Sequence, residues 1–175
     1  MQDPPVYTIG HSNRPFDDFT SMLASAAVRR VVDVRRFPRS RANPRYNDDA
    51  LSGTLPERQI GYTIIPELGG RRPGRSAVPP EVNAYWQNQS FHAYADYAMG
   101  EAFAAGLDRL LDLGREERCA IMCAEAVWWR CHRRIIADYL LLRGWTVLHI
   151  MGRGRMEPAS MTPVAVPDGD RLTYP

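Results

Sequence analysis

The sequence predicts one α/β domain over residues 1–175, with a mainly parallel sheet of about five strands flanked by helices. Short apolar runs alternate with longer segments in which apolar residues recur at helical spacing. Residues 6–35 read as strand, helix and strand, which is the order of a βαβ unit with parallel strands. A chain of 175 residues also has the length of one domain with a substantial core.

Five short runs of apolar and β-branched residues are the predicted strands. They lie at residues 7–10, 30–35, 62–65, 120–123 and 146–150. The longer stretches without periodicity are predicted to be irregular, and the first of them is a basic loop of the kind that often carries function. These stretches are residues 37–47, 73–90 and 151–175.

Helical periodicity predicts the elements that cover the sheet. One helix follows Pro15, a residue that suits the first helical turn, and a short helical turn is expected at residues 49–55. Longer helices are predicted at residues 91–113 and 129–143. Gly144 then occupies the position where a left-handed residue ends a helix.

All 22 basic residues are arginines, and the net charge is only +2. Seven arginines nevertheless fall within residues 29–45 against the single acid Asp33, and Arg71, Arg72 and Arg75 form a second cluster. Genome composition alone would explain the missing lysine. Because a guanidinium matches phosphate and carboxylate in a planar, two-pronged geometry, the clusters still favour an anionic partner, either a small molecule or a nucleic acid.

The number of cysteines and the distribution of apolar residues indicate in which cellular compartment the protein is expected. Three cysteines, an odd number, argue against a disulfide framework and for a reducing environment. The sequence has neither the apolar segment of a secretory signal nor an apolar run long enough to cross a bilayer. We therefore expect a cytoplasmic protein without a membrane partner.

The densest group of reactive side chains lies where the fourth predicted strand passes to the last predicted helix. The group consists of Cys123, Glu125, Trp128, Cys131, His132 and Arg133. Ligands of open α/β sheets bind at such strand ends. His11, Asp33 and Glu67 also lie at strand ends or in the loops that follow them, so we expect these three residues to share one cleft with Cys123, Glu125 and Cys131.

Several motifs together resemble the domain-of-unknown-function 488 (DUF488) family. The motifs are TIGHS, VVDVRRFPRSR, IPELGG preceded by Tyr62, the pair MCAE and CHR, and the closing LTYP. The resemblance extends over nearly the whole chain, from Val6 to Pro175, and implies a compact α/β domain of bacterial type. It assigns no activity. The matching positions are His11, Asp33, Arg35, Glu67, Gly69, Gly70, Cys123, Glu125, Cys131, His132 and Arg133.

Cys131 has two interpretations. It lies on an apolar stripe of the predicted helix, where a buried thiol is ordinary packing. Alternatively, the helix N-terminus together with Arg130 and Arg133 lowers the pKa of the thiol and makes it a nucleophile. Cys123 has the same two interpretations. His132, as the adjacent helical residue, is expected to point away from Cys131.

The other polar residues also have alternative roles. Glu125 is either the ion-pair partner of an arginine or an acid–base group with a raised pKa. Asp33 is expected to pair with a neighbouring arginine or a backbone amide. Trp128 either packs against the protein or stacks on a base. His149 has no evident partner in the sequence and is interpreted as structural.

Metal and cofactor sites are not predicted. Cysteine and histidine are suitable zinc ligands, but the spacing from Cys123 to Cys131 and His132 is unlike the usual zinc patterns. The interval from Cys123 to Arg130 is one residue longer than the cysteine–x5–arginine loop of phosphatases and lacks its glycines. Neither GxGxxG nor GxxxxGK[ST] occurs, which argues against a dinucleotide or P-loop cofactor.

These observations favour a small enzyme that acts on an anionic, phosphate-bearing substrate such as a nucleotide or a nucleic-acid component. The candidate catalytic residues are His11, Cys123, Glu125 and Cys131. The candidate substrate-binding residues are Asp33, Arg35, Arg36, Glu67, Arg71, Trp128, His132 and Arg133. The alternative is a non-catalytic nucleic-acid-binding module that uses the Arg29–Arg45 segment on phosphates and Trp128 and Trp129 on bases. A closed pocket lined by Glu125 and a thiol favours the enzyme, whereas an open basic groove favours the binding module.

Overall fold

The computed structural model describes residues 3–70 and 76–175 and confirms an α/β fold with one mostly parallel sheet. Within these residues the sheet has six strands. They are β1 (Val6–Gly10), β2 (Arg30–Asp33), β3 (Gly61–Ile64), β4 (Cys119–Cys123), β5 (Val147–Gly152) and β6 (Arg155–Pro158). The spatial order is β3-β2-β4-β1-β5-β6, and β6 alone among them runs antiparallel to its neighbour.

The predicted second strand is two residues too long. β2 ends at Asp33, because the Arg35 backbone N–H donates to the Asp33 carboxylate at 3.0 Å and the chain turns there. The other four predicted strands occur close to the expected positions.

Five α-helices flank the sheet in the described part of the chain. They are α1 (Phe16–Ser25), α2 (Asp48–Thr54), α3 (Gln89–Ala98), α4 (Glu101–Glu116) and α5 (Arg133–Leu142). The single helix predicted at residues 91–113 is wrong, because Gly100 has an extended backbone and separates α3 from α4. Gly144, with a φ of +83°, follows α5 in the left-handed conformation expected from the sequence.

The last helix begins four residues later than predicted. Trp128–Arg130 forms a 3₁₀ turn, and Cys131 then adopts an extended conformation with φ −135° and ψ 152°. The regular helix starts at Arg133. Cys131 and His132 therefore precede the helix, where their side chains are not bound by helical geometry.

Alternate residues of the strands bury opposite faces of the sheet. Val31 packs with Phe19 of α1 in one core cluster, on the side that α1 and α2 cover. Val32 packs with Leu107 of α4 and Ile135 of α5 in the other. Each face of the sheet is thus covered by helices, as a parallel sheet requires.

The C-terminal stretch is ordered, contrary to the prediction of an irregular tail. Besides β6 it contains the hairpin of β7 (Val166–Asp168) and β8 (Arg171–Thr173), and Tyr174 is fully buried. Strands of three or four residues with mostly exposed side chains leave no hydrophobic periodicity in the sequence. Among the described helices, none combines the length and apolar character needed to traverse a bilayer.

The winding of the sheet reverses at its centre. From β1 the chain passes to β2 and β3 on one side, and from β4 it passes to β5 on the other. Gly10 ends β1 opposite Cys123, and a Cβ at residue 10 would lie only 1.8 Å from the carbonyl oxygen of Glu125. The absence of a side chain at Gly10 therefore lets the loop after β4 lie against the end of β1. Ligand sites of open α/β sheets occur at this kind of crevice.

Candidate active site

A cavity of about 710 Å³ opens at the carboxyl ends of β1, β2 and β4. Its volume is that of a small-molecule site. Seven residues predicted from the sequence line it, namely His11, Arg35, Arg36, Cys123, Glu125, Cys131 and His132. The structure therefore brings most of the predicted catalytic and binding residues to one edge of the sheet, as the parallel topology implies.

The two cysteines of this cavity are in direct contact. The sulfur atoms of Cys123 and Cys131 are 2.7 Å apart, and both residues are free thiols. Cys131 Sγ also accepts the backbone N–H of Arg133, at 3.4 Å, at the start of α5. His132 does not point away from Cys131 as predicted, because its Nδ1 lies 3.5 Å from the Cys131 sulfur. The divergence expected of neighbouring helical residues does not apply, since neither residue is inside the helix.

Arg133 lies behind the two thiols and is only 1% exposed. Its guanidinium donates to Cys123 Sγ at 3.0 Å, to Thr8 Oγ1 at 3.0 Å and to the backbone oxygen of Glu125 at 2.7 Å. It forms no salt bridge with a carboxylate among the described residues. A buried guanidinium cannot lose its proton and requires a nearby anion. The thiol pair is the group in contact with Arg133 that can supply one.

The electrostatics of the pair favour one shared negative charge. Burial alone would raise the pKa of Cys131, but the hydrogen bond from Cys123 and the charge and N–H of Arg133 lower it to about 7. Burial, followed by the contact with Cys131, raises the pKa of Cys123 well above its usual range. The guanidinium touches Cys123, yet the charge is better stabilised on Cys131, which also accepts the N–H at the start of the helix. These shifts favour a thiolate on Cys131 and a neutral thiol on Cys123.

A second buried charge supports the opposite wall of the cavity. The Arg35 guanidinium donates to both carboxylate oxygens of Asp33, with the shortest contact at 2.6 Å, and to the backbone oxygen of Tyr46. The hydroxyl of Tyr62 donates to the same carboxylate at 2.5 Å. Asp33 is fully buried and Arg35 is 6% exposed, so the predicted pairing of Asp33 with an arginine is confirmed.

His11 is held as a neutral ring between these groups. Its Nδ1 donates to the backbone oxygen of Ser12 at 2.8 Å, so its Nε2 accepts from Arg35 at 3.2 Å. The ring stacks on Tyr46 at a centroid distance of 4.4 Å. Burial, with the charge of Arg35, lowers the pKa of His11 to about 4 despite the Ser12 hydrogen bond. Both ring nitrogens are engaged, which makes His11 a weaker acid–base candidate than Glu125.

Glu125 and the exposed arginines form the rim of the cavity. The Glu125 side chain is exposed and makes no ion pair within the described ranges, so the structure does not support the ion-pair interpretation. Arg36, Arg39 and Arg130 also line the cavity, and Arg39 pairs with Asp48 at 3.0 Å. The rim thus combines one carboxylate with several guanidinium groups.

A comparison with family models matches residues 15–140 of the 175 to the Domain of unknown function DUF488. The chain belongs to the DUF488 family. Comparisons with curated proteins and with solved structures give no match. The matched part of this DUF488 protein contains every predicted site residue except His11, and it is shorter than the stretch over which the motifs resemble the family.

Four predicted site residues of this DUF488 protein do not line the cavity, and Arg71 lies outside the described residues. Asp33 and Arg133 lie behind the cavity wall. Asp33 accepts hydrogen bonds from Arg35, and Arg133 donates to the sulfur of Cys123. Glu67 is elsewhere, with its backbone oxygen accepting from the Tyr97 hydroxyl. Trp128 packs face to face on His149, at a centroid distance of 4.5 Å, so the packing interpretation of this residue describes that face of its ring. In the described ranges no group of three or more His, Cys, Asp or Glu side chains could hold a metal ion.

Thr8 and His149 are functional-site neighbours that sequence reasoning missed. The two residues are directly opposite in the pairing of β1 with β5. Because Thr8 Oγ1 accepts from Arg133, its hydroxyl donates to His149 Nδ1, at 2.6 Å. The sequence does place a hydroxyl and an imidazole within two apolar strands, β1 and β5. The contact between Thr8 and His149 could not be predicted from it, because that contact depends on the order of the strands in the sheet. His149 therefore has a hydrogen-bond partner, whereas the sequence showed none.

We expect acidification to destabilise the protein through His11 and His149. Burial, the largest cause in both cases, lowers the pKa of His11 to about 4 and that of His149 to about 3. The unfolded histidines have a pKa of about 6.5, so protons bind the unfolded chain first and stability is lost as the pH falls below that value. The expected loss is on the order of 3 kcal/mol for each histidine by about pH 4.

Urea unfolding between neutral pH and about pH 4 measures this loss. His149→Asn is the matched control, because its amide oxygen can still accept from Thr8 but the residue does not titrate. The variant should lose roughly half of the pH sensitivity. Identical pH dependence in the variant and the parent protein would contradict the assignment to His149.

Proposed function

We propose that this DUF488 protein is a cytoplasmic enzyme that uses Cys131 as a nucleophile on an anionic, phosphate-bearing substrate such as a nucleotide or a nucleic-acid component. The observation that carries the proposal is the buried Arg133, which lacks a carboxylate partner among the described residues and lies against two thiols at the base of the cavity. A free thiolate in such a position suits a reducing compartment.

The charge balance of Arg133 supports the nucleophile assignment. A cysteine that only packed in the core would be neutral, and the guanidinium would then be buried without an anion, at a cost of several kcal/mol. Ionisation of Cys131 removes this cost and creates the reactive form of the thiol. The same contact therefore stabilises the fold and prepares the nucleophile.

The arginines of the rim support an anionic substrate. Arg35, Arg36, Arg39 and Arg130 line the cavity together with a single carboxylate, Glu125. Asp33 pairs with Arg35 and Asp48 pairs with Arg39, whereas Arg130 forms no salt bridge among the described residues. Guanidinium groups bind phosphate oxygens in pairs, so a phosphate at the rim would orient the rest of the substrate towards the sulfur.

Glu125 supplies the remaining chemical function in this proposal. As the Cys131 sulfur bonds to the electrophilic atom of the substrate, the bond from that atom to its leaving group breaks. The leaving group takes a proton from solvent. The Glu125 carboxylate then accepts a proton from the water whose oxygen attacks the substrate atom, and the bond from that atom to the sulfur breaks to release the product and the thiolate. Its exposed carboxylate at the cavity rim can reach both the substrate and solvent.

Alkylation of the native protein tests the state of Cys131. We expect iodoacetamide to modify Cys131 at least about tenfold faster than Cys119 at neutral pH, because only Cys131 has a substantial thiolate fraction there. Burial raises the pKa of Cys119 to about 12, and Cys119 is fully buried in the core. The Cys131 rate should rise with pH through about 7 and then level off. Peptide mapping by mass spectrometry reads both rates in one sample.

Inorganic phosphate should slow the alkylation of Cys131 by occupying the cavity. Arg130→Gln should weaken this protection about tenfold, the effect of one charged hydrogen bond. Arg109→Gln is the matched control, because Arg109 is exposed on α4 outside the cavity and the change in net charge is the same. A native Cys131 rate no faster than that of Cys119 would exclude Cys131 as the nucleophile and leave Glu125 and His11 as the catalytic candidates.

Turnover itself is tested by incubating the protein with a panel of nucleotides and sugar phosphates and analysing the products by mass spectrometry. Cys131→Ser should abolish any reaction found, whereas Cys119→Ala should retain it. A reaction that persists in Cys131→Ser would contradict the proposed mechanism.

The second candidate is a non-catalytic nucleic-acid-binding module, favoured by exposed aromatic rings beside the arginines. Phe37 is 65% exposed below the Arg36 guanidinium, and Trp129 is 44% exposed. Single-stranded oligonucleotide binding that falls steeply with salt, and falls further in Phe37→Ala and Trp129→Ala, would favour this function over catalysis.

A further inference from the structure

We propose that Cys123 and Cys131 form a reversible disulfide when the protein meets a hydroperoxide, and that this bond switches the site off. The inference deepens the proposed function, because it concerns the regulation of the same thiols. It rests on the contact between the sulfurs, on their position at the cavity wall and on the buried charge of Arg133, which contacts the Cys123 sulfur.

The distance between the two sulfurs favours a disulfide. The two sulfurs are 2.7 Å apart, and a bond requires them to approach by roughly another 0.7 Å, to the usual length of about 2.05 Å. Both residues line the cavity although they are only 3% and 6% exposed. A small hydroperoxide, and the thiol of a reductant such as glutathione, can therefore reach the sulfurs through the cavity.

The reaction proceeds in two balanced steps. The Cys131 thiolate attacks the terminal oxygen of the hydroperoxide, so that an S–O bond forms, the O–O bond breaks and an alkoxide leaves, which takes a proton from water. The Cys123 thiol then attacks the resulting sulfenic acid. The S–S bond forms as the S–O bond breaks, and the departing hydroxide takes the Cys123 proton to become water. The sulfur pair loses two electrons, and the hydroperoxide is reduced to an alcohol.

Arg133 makes this disulfide easy to reduce. In the reduced protein, the thiolate balances the buried guanidinium, whereas the disulfide is neutral and leaves the charge uncompensated. A stabilised reduced form shifts the equilibrium towards the dithiol, which is the feature that distinguishes labile disulfides from structural ones. The pair thus suits a switch that glutathione resets.

The test treats the full chain with one equivalent of hydrogen peroxide and then blocks free thiols before mass spectrometry. Before blocking, the intact mass should fall by that of two hydrogen atoms. After blocking, a disulfide-linked Cys123–Cys131 peptide pair should appear, and Cys119 should carry the blocking group. Millimolar glutathione should restore both thiols. Cys119→Ala should behave as the parent protein, whereas Cys123→Ala should stop at a Cys131 sulfenic acid that a 1,3-dione probe labels.

Each outcome separates this inference from the proposed function. A disulfide in a protein that shows no turnover on any phosphate-bearing substrate would support the switch and contradict the enzyme. Turnover without a disulfide, with Cys131 instead oxidised to sulfinic acid, would overturn the switch and leave the enzyme intact. Loss of turnover on oxidation and its recovery with glutathione would support both. Equal oxidation of Cys119 and Cys131 would also overturn the switch.

Discussion

Replacing both Cys123 and Cys131 with alanine is expected to lower the free energy of unfolding by about 3–5 kcal/mol. The double variant leaves the Arg133 guanidinium buried against alanine, with backbone and hydroxyl oxygens as its remaining partners. Arginine cannot relieve this cost by losing its proton. Urea unfolding at neutral pH measures the change.

Arg133→Met is the matched control for this prediction. In the parent protein it should cost only about 1–2 kcal/mol, because Cys131 can take up a proton when the cation is removed. Its thiol pKa should then rise above about 7. In the background of the alanine double variant, the same substitution should instead restore most of the lost stability, since a buried charge is replaced by an apolar chain. Additive effects of the two changes would show that the sulfurs only fill space.

Asp33→Ala is also expected to lower the free energy of unfolding by about 3–5 kcal/mol, because it leaves the buried charge of Arg35 unpaired. It leaves Arg35 buried without its carboxylate and also removes the partner of the Tyr62 hydroxyl. Chemical denaturation of the purified variant gives the loss, and the variant should also lose phosphate protection of Cys131, because Arg35 is no longer held at the cavity wall.

Tyr62→Phe is the control for this second prediction, and its stability loss is compared with that of Asp33→Ala. It removes one hydrogen bond to the Asp33 carboxylate and keeps the Asp33–Arg35 pair, so it should cost about 1.5–2 kcal/mol, less than the loss of the carboxylate itself. If Asp33→Ala were no more costly than Tyr62→Phe, the pair would contribute little and Arg35 would have another way to stay buried.

The buried charges were predictable where their partners are close in the sequence. Asp33 interrupts an apolar strand, and an arginine two residues later is within reach of its carboxylate as soon as the strand ends. The strands themselves were predictable for the same reason, because apolar runs bounded by polar residues are local signals. Their common edge follows from parallel pairing.

The contacts that define the site depend on tertiary structure and were not predictable. Trp128–Arg130 has a sequence compatible with a regular helix, and packing of Trp128 on His149 favours a 3₁₀ turn instead. Only this turn brings Cys131 into an extended conformation with its sulfur against Cys123. Thr8 and His149 are 141 residues apart and become neighbours through the order of the strands. No local pattern carries that information.

The antiparallel strand β6 forms one edge of the sheet, and its sequence bears on whether that edge can pair with another chain. An open sheet ends in unpaired N–H and C=O groups, which can recruit a strand from another chain. Here the edge strand is only four residues long, carries the charged side chains of Arg155 and Glu157, and ends in Pro158, which has no N–H to donate. A twist-inducing irregularity in its pairing also lies between Ile150 and Gly152. These features together oppose edge-to-edge growth of the sheet into aggregates.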